Sequence, residues 1–203
     1  MAANGGRHQI GPDSGRLTLR TYRSGLAAQA GHDLTIDVTR WSAQLDQPPA
    51  GPGADSAPDT AAPDSAAPDR LTATIDLTSL AIREGRGGVK PLTDRDRRDI
   101  AGQARKQLDT GRFPEASYAA TSFAPDAAGG GVIDGTLTLH GQSRPLRLQV
   151  SKTGDGRYRA TATVTQSQFG IKPYSGMFGA LKLRDDVEVE VTVDLSAAPG
   201  GPS

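Results

Sequence analysis

From Asp186 the chain runs DVEVEVTVDL, and no other stretch restricts the fold so tightly. Val187, Val189, Val191, Val193 and Leu195 take every second position, with Glu188, Glu190, Thr192 and Asp194 between them. Successive strand side chains point to opposite faces, so this period puts the apolar groups on one side and the polar groups on the other. A helix would scatter both around its surface. The same period recurs at Leu17 and Leu19, at Leu34, Ile36 and Val38, and at Leu71, Ala73, Ile75 and Leu77. It returns at Leu137 and Leu139, at Leu146, Leu148 and Val150, and at Ala160, Ala162 and Val164. Strands buried on one face belong to antiparallel sheets, and HGQSRP (140–145) and GDGR (154–157) suit hairpin turns. About eight such strands predict an all-β fold, an eight-stranded antiparallel barrel whose closure removes exposed edges. Small residues at expected inward positions (Ala73, Gly135, Ala160, Ala162) predict a roomy lumen.

One helix is expected, from Asp94 to about Leu108. Thr93 can cap it, Asp94 and Asp96 suit its first turn, and Arg105 and Lys106 its last. Its thin apolar stripe (Ile100, Ala101, Ala104, Leu108) suffices to cover one flank or end of a sheet, while Arg95, Arg97, Arg98 and Asp99 read as a solvated face. GRGGVKPLTD (85–94) lacks the residue order of a phosphate-binding loop and reads as the loop into this helix, or as a rim over the barrel mouth. Residues 48–69, PPAGPGADSAPDTAAPDSAAPD, hold no Leu, Ile, Val or Phe, so they cannot offset the entropy of ordering. The expected organisation is a disordered N-terminal arm (1–15), a barrel domain (16–196) with a disordered insert (48–69), and a disordered tail (197–203).

Charge and composition narrow the function. The 23 basic and 23 acidic residues balance, and Arg is spread rather than clustered, which argues against a nucleic-acid partner. Without cysteine there can be no disulfide, thiolate metal site or Cys nucleophile. The opening MAANGGRHQIGPDSG has no apolar run of the signal-peptide kind, and no stretch of about 18 apolar residues occurs. The reading is a soluble, cytoplasmic chain with no membrane span.

Chemistry-bearing motifs are sparse. There is no G-x-S-x-G elbow, phosphate loop or HExxH pair. His8 falls in the expected arm. His32 and His140 stand at strand ends, where the simplest role for each ring is a hydrogen bond to backbone. A metal or catalytic pair, or polar contacts to a ligand, are the alternatives. Trp41 reads as an anchor at a strand end rather than a cofactor stacker. QSQFGIKPYSGMFGALKLRDD (166–186) concentrates Phe169, Tyr174, Met177 and Phe178 in a segment broken by Gly and Pro. Phe169 and Ile171 are expected to alternate inward, with Tyr174, Met177 and Phe178 folding over one barrel end as a lid.

Three ordered motifs carry a resemblance: FPEASYAATSF (113–123), GVIDGTLTLHGQSRPLRLQV (131–150) and ATATVTQSQFGI (160–171). Together with AGHDL (30–34) and the closing Val alternation, they resemble the YceI-like family, also called polyisoprenoid-binding proteins, across residues 16–196 apart from the insert. The resemblance implies a lipocalin-like barrel that holds a long-chain amphiphilic lipid (a polyisoprenoid, an isoprenoid quinone or a fatty-acid-like molecule) for storage, transport or stress protection. It implies no catalytic residue, no metal and no cofactor beyond the lipid, and it is compatible with a homodimer. The expected ligand contacts are Trp41, Phe123, Leu137, Leu139, Leu148, Phe169, Ile171, Tyr174, Met177 and Phe178, with His32 and His140 as polar contacts. The competing readings are an interaction scaffold acting through the Ala-Pro-rich insert, and a His-dependent metal enzyme.

Overall fold

Alternating strands bury their apolar face by curling around it. The computed structural model describes residues 7–46 and 70–196 and shows this arrangement. The first half runs β1 (Arg7–Ile10), β2 (Gly15–Thr21), β3 (Arg23–Ser24), β4 (His32–Val38), β5 (Trp41–Asp46), β6 (Arg70–Asp76), β7 (Leu80–Gly87) and α1 (Asp94–Gln107). The second half runs β8 (Glu115–Pro125), β9 (Gly131–Leu139), β10 (Gln142–Gly154), β11 (Arg157–Thr165), β12 (Ser175–Gly176), β13 (Leu181–Leu183) and β14 (Asp186–Asp194). Eleven strands form one antiparallel sheet in the order β1-β5-β6-β8-β9-β10-β11-β14-β2-β4-β7, and β12, β13 and β3 form a small second sheet.

The large sheet thus has eleven strands where eight were expected. Two expected strands are bent. β4 passes through Thr39 and Arg40 into β5, and β6 passes through a 3-10 turn, Leu77–Ser79, into β7. The corners are held together: Thr39 N–H donates to Ser79 O at 3.3 Å, and Asp76 N–H to Arg40 O at 3.0 Å. Pairing therefore continues past the bend, with Val38 opposite Leu80 on one side and Trp41 opposite Ile75 on the other. The further strand is β1, which pairs with β5 and buries Ile10. This corrects the expectation of an unstructured arm over 7–15 and places His8 in a strand, because one Ile in register with Ala43 is enough to seat four residues on a sheet edge. The expected insert (48–69) and tail (197–203) lie outside the described residues.

α1 begins where the capping residues place it. Thr93 Oγ1 accepts from Asp96 N–H and the Asp96 carboxylate accepts from Thr93 N–H, a capping box. Ala101 is buried against the sheet, with Ile100, Ala104 and Leu108 beside it. Arg97 reaches back to the Arg83 carbonyl of β7, so the helix covers that edge strand and Arg97 is not part of a purely solvated face.

Register shifts decide which residues face inward. In β8, Ala120 pairs with Gly135 but Ser122 with Asp134, leaving Thr121 as an extra residue and reversing the alternation beyond it. Inward positions therefore pass from Ala116, Tyr118 and Ala120 to Phe123 and Pro125. Gly135 gives no open space. A Cβ there would lie 2.4 Å from the Tyr118 ring and hydroxyl, so the missing side chain is where Tyr118 lies. Gly135→Ala is expected to destabilise the protein by about 1–3 kcal/mol through overpacking, measured by urea denaturation. An unchanged midpoint would mean that Tyr118 has room to move aside.

Candidate functional site

The curled sheet encloses a cavity of about 940 Å³. Its wall is the inward alternation of nearly every strand: Val187, Val189, Val191, Val193 and Leu195 in and after β14, Leu17 and Leu19 in β2, and Leu34, Ile36 and Val38 in β4. Trp41, Ala73, Leu137, Leu139, Leu146, Leu148 and Ala160 continue it. Along β14 the outward positions instead carry charge. Glu190 sits 3.2 Å from Arg20 and 3.7 Å from Arg159, and the Arg20 guanidinium above all holds the Glu190 carboxyl below its ordinary range. Alternation thus separates an apolar interior from a charged exterior.

Polar groups in the wall gather toward the α1 end. Asp99, Gln103 and Gln107 come from α1, Thr21 from the end of β2, Arg23 from β3, and His32 from the start of β4. Asp99 is largely exposed, which marks this end as the place where cavity meets surface. A smaller hollow of about 400 Å³ under 89–92 shares His32, Asp99 and Ile100 with the main cavity. Arg23 is held in place: its N–H donates to Asp33 Oδ1 at 2.9 Å, its Nη1 to Gly31 O at 2.6 Å, and its Nε stands 3.8 Å from Asp33. The two glycines after Arg86 make room for these side chains. A Cβ on Gly87 would lie 1.8 Å from Arg23 Nη1, and one on Gly88 2.3 Å from the His32 ring. Both have positive φ, so the GRGG run serves close approach as well as chain direction. Tyr118 contributes a neutral phenol. Burial pushes its hydroxyl up to about 12, and it donates to Leu146 O at 3.2 Å.

The expected contact residues divide. Trp41, Phe123, Leu137, Leu139, Leu148, Ile171, Tyr174 and His32 line the cavity. Phe169, His140, Met177 and Phe178 do not. Phe169 is 2% exposed and packs behind the wall with Ile171, in a 3-10 turn (Gln166–Phe169) rather than on a strand. Phe178 is fully in solvent and Met177 mostly so. Met177 and Phe178 have φ of 49° and 54°, which turns this short segment away from the wall, so the lid expected of them is not formed. His32 and His140 bond backbone carbonyls, as their positions at strand ends suggest: His32 Nε2 lies 2.8 Å from Lys90 O, and His140 Nδ1 3.1 Å from Phe169 O. The His140 ring stacks at a tilt on Phe113, 4.6 Å between centroids, and stays outside the cavity wall. The two rings therefore do not share a site. Among the described residues no cluster of three His, Asp or Glu has metal-binding geometry.

Sequence reading missed Thr21, Arg23, Tyr118, Gln103 and Gln107. The signal for the first two was in phase with Leu17 and Leu19, two and four positions further on. Gln103 and Gln107 follow Ile100 at helical spacing.

Comparison with known proteins agrees with this architecture. The family model described as YceI-like domain matches residues 18–195. A UPF0312 protein of Shewanella sp. (strain W3-18-1) is 39% identical over 74 residues, which is 32% of this chain and 39% of the relative's length. A UPF0312 protein of Pseudomonas savastanoi pv. phaseolicola (strain 1448A / Race 6) is 30% identical over 90 residues, 40% of this chain and 47% of the relative. The chain thus spans well under two thirds of the curated relatives it matches. Among solved structures, Burkholderia cenocepacia BcnA superposes with a TM-score of 0.53 at 16% identity, covering 88% of this chain and 94% of that one. A polyisoprenoid binding domain from Saccharophagus degradans gives 0.52 at 11% identity, covering 92% and 95%. At these identities the likeness is one of fold.

Proposed function

The chain belongs to the YceI-like family, and we propose that it binds one long-chain amphiphilic lipid, a polyisoprenoid, isoprenoid quinone or fatty-acid-like molecule, inside the curled sheet. The observation that carries this reading is the cavity of about 940 Å³ walled by the inward strand alternation. Binding cavities for small molecules run from about 300 to 1,000 Å³ and are mostly apolar. Each methylene moved out of water contributes about 0.8 kcal/mol. Ten of them would supply about 8 kcal/mol before the costs of association, so a long tail suits this wall better than a compact polar metabolite. The bends between β4 and β5 and between β6 and β7 make the sheet act as a barrel around that tail. The name of the Saccharophagus degradans domain supports the isoprenoid class.

The test is the protein's own cargo. Protein purified from cells without detergent, then extracted with organic solvent, should yield about one lipid per chain by mass spectrometry. Folded protein that carries no lipid and fails to take up a fluorescent apolar probe would overturn the reading.

A further inference from the structure

Of the five large apolar residues that stand exposed among the described residues, four gather at the α1 end of the cavity. Leu26 and Phe178 are fully in solvent, Val89 and Met177 more than half. They ride on three neighbouring loops. Ala27 N–H donates to Ala180 O at 2.9 Å and Ser24 pairs with Lys182, which ties the loop of Leu26 to that of Met177 and Phe178. Val89 and Ala30, at the end of the Leu26 loop, line the same smaller hollow. The backbone holds two of the four outward at a cost. Met177 and Phe178 have φ of 49° and 54°, a left-handed conformation that bulky residues avoid, and strain of this kind collects at functional sites.

Charge points to what covers these tips. The segments 22–31, 87–92 and 172–184 carry Arg23, Lys90, Lys172, Lys182 and Arg184, and no Asp or Glu. Arg23 is paired with Asp33, while the other four cations are exposed and have no ion pair among the described residues. Carboxylates of α1 at this end are already engaged, Asp96 in the helix cap and Asp99 3.8 Å from Arg95. Along β13, Leu181 and Leu183 line the cavity, and Lys182 between them and Arg184 after them are exposed. The same short strand thus serves both the wall and the basic rim.

We propose that this rim is a docking surface for an anionic lipid bilayer. Leu26, Val89, Met177 and Phe178 enter the interface, and Lys90, Lys172, Lys182 and Arg184 face the headgroups. Apolar tips among basic side chains suit that partner on both counts. A second copy of the chain suits it less, because it would set like charges against each other. Stable protein interfaces also take about twenty to thirty residues a side, against four apolar tips on separate loops. Docking in this way brings the cavity end lined by Ala30, Gly31 and Leu181 to the membrane. The proposal goes beyond lipid binding in the cavity, and its test does not require that a lipid be taken up.

The full chain is co-sedimented with large unilamellar vesicles of phosphatidylcholine alone, and of phosphatidylcholine with phosphatidylglycerol at about two to one. Partition onto the anionic vesicles is expected to be about tenfold stronger and to weaken at high salt. Leu26→Ser combined with Phe178→Ser should lower that partition about tenfold. The melting temperature should not change, since neither side chain is packed and neither lines the cavity. Wild type that stays in the supernatant with anionic vesicles, equal partition onto both compositions, or a double variant that partitions like wild type would each overturn the docking surface. So would a wild-type dimer in sedimentation velocity that the two substitutions dissociate, which assigns the tips to a second copy. The comparison of vesicle compositions uses wild type alone and does not depend on the variant folding. Uptake of the fluorescent apolar probe is measured without vesicles, so its failure counts against the lipid-binding reading and not against docking.

Discussion

Phe169→Ala is expected to lower the unfolding free energy by about 3–5 kcal/mol, and Phe178→Ala, in the same loop, to change it by less than about 0.5 kcal/mol. Both residues are phenylalanines in one Gly-broken segment, and only burial separates them. Phe169 is 2% exposed among Leu77, Leu139 and Ile171, and its carbonyl oxygen lies 3.1 Å from His140 Nδ1. Its removal leaves a cavity that the surrounding strands, held by their ladders, cannot collapse into. Phe178 touches solvent on all sides and loses nothing comparable. Parallel urea titrations of the two variants check this. Equal destabilisation would mean that Phe178 packs against the protein in solution, and the loop would then have to be redrawn as a cover.

Ala73→Phe combined with Ala160→Phe is expected to weaken binding of a sixteen-carbon apolar ligand roughly a hundredfold. Both alanines lie in the cavity wall and are half-buried. Two phenyl groups projecting from them would occupy space a tail needs. If about four methylenes are displaced, the loss is about 3 kcal/mol at 0.8 kcal/mol each, which is close to two decades in affinity. Stability should hold or rise, because the new rings enter a cavity rather than a packed core. Probe titration and thermal melting of the double variant measure the two effects separately. Unchanged binding together with a loss of about 1–3 kcal/mol in stability would show overpacking and place the ligand elsewhere.

These two expectations differ in what they take from the sequence. The alternation of β14, β2 and β4 was sufficient to assign Val187, Val189, Val191, Val193, Leu195, Leu17, Leu19, Leu34, Ile36 and Val38 to one face, and all of them line the cavity. Period-two patterning is a local property of an extended chain, so it survives any arrangement of neighbours. The cap of α1 at Thr93 was equally legible, since a capping box is closed within four residues. The three family motifs are likewise short and contiguous, none reaching beyond one hairpin, and the family model spans nearly all the described residues.

Other features depend on partners distant in sequence. The bends at 39–40 and 77–79 are stabilised by each other, across about forty residues, so neither segment alone shows that one strand will count as two. Thr121 reverses the inward phase of β8 because Asp134 pairs with Ser122, a choice made by β9. Gly135 looked like empty space and is filled by Tyr118 from the neighbouring strand.

By itself, then, the sequence determined that this chain builds one-sided antiparallel strands, where its helix starts, and which family it joins, because periodicity, caps and motifs are short-range. Tertiary structure alone decided which aromatic is core and which is exposed, where polar groups meet the cavity, and that the Thr21 hydroxyl is left without a partner. Burial and hydrogen-bond satisfaction are properties of what surrounds a residue, and in a curled sheet those surroundings come from strands far apart along the chain.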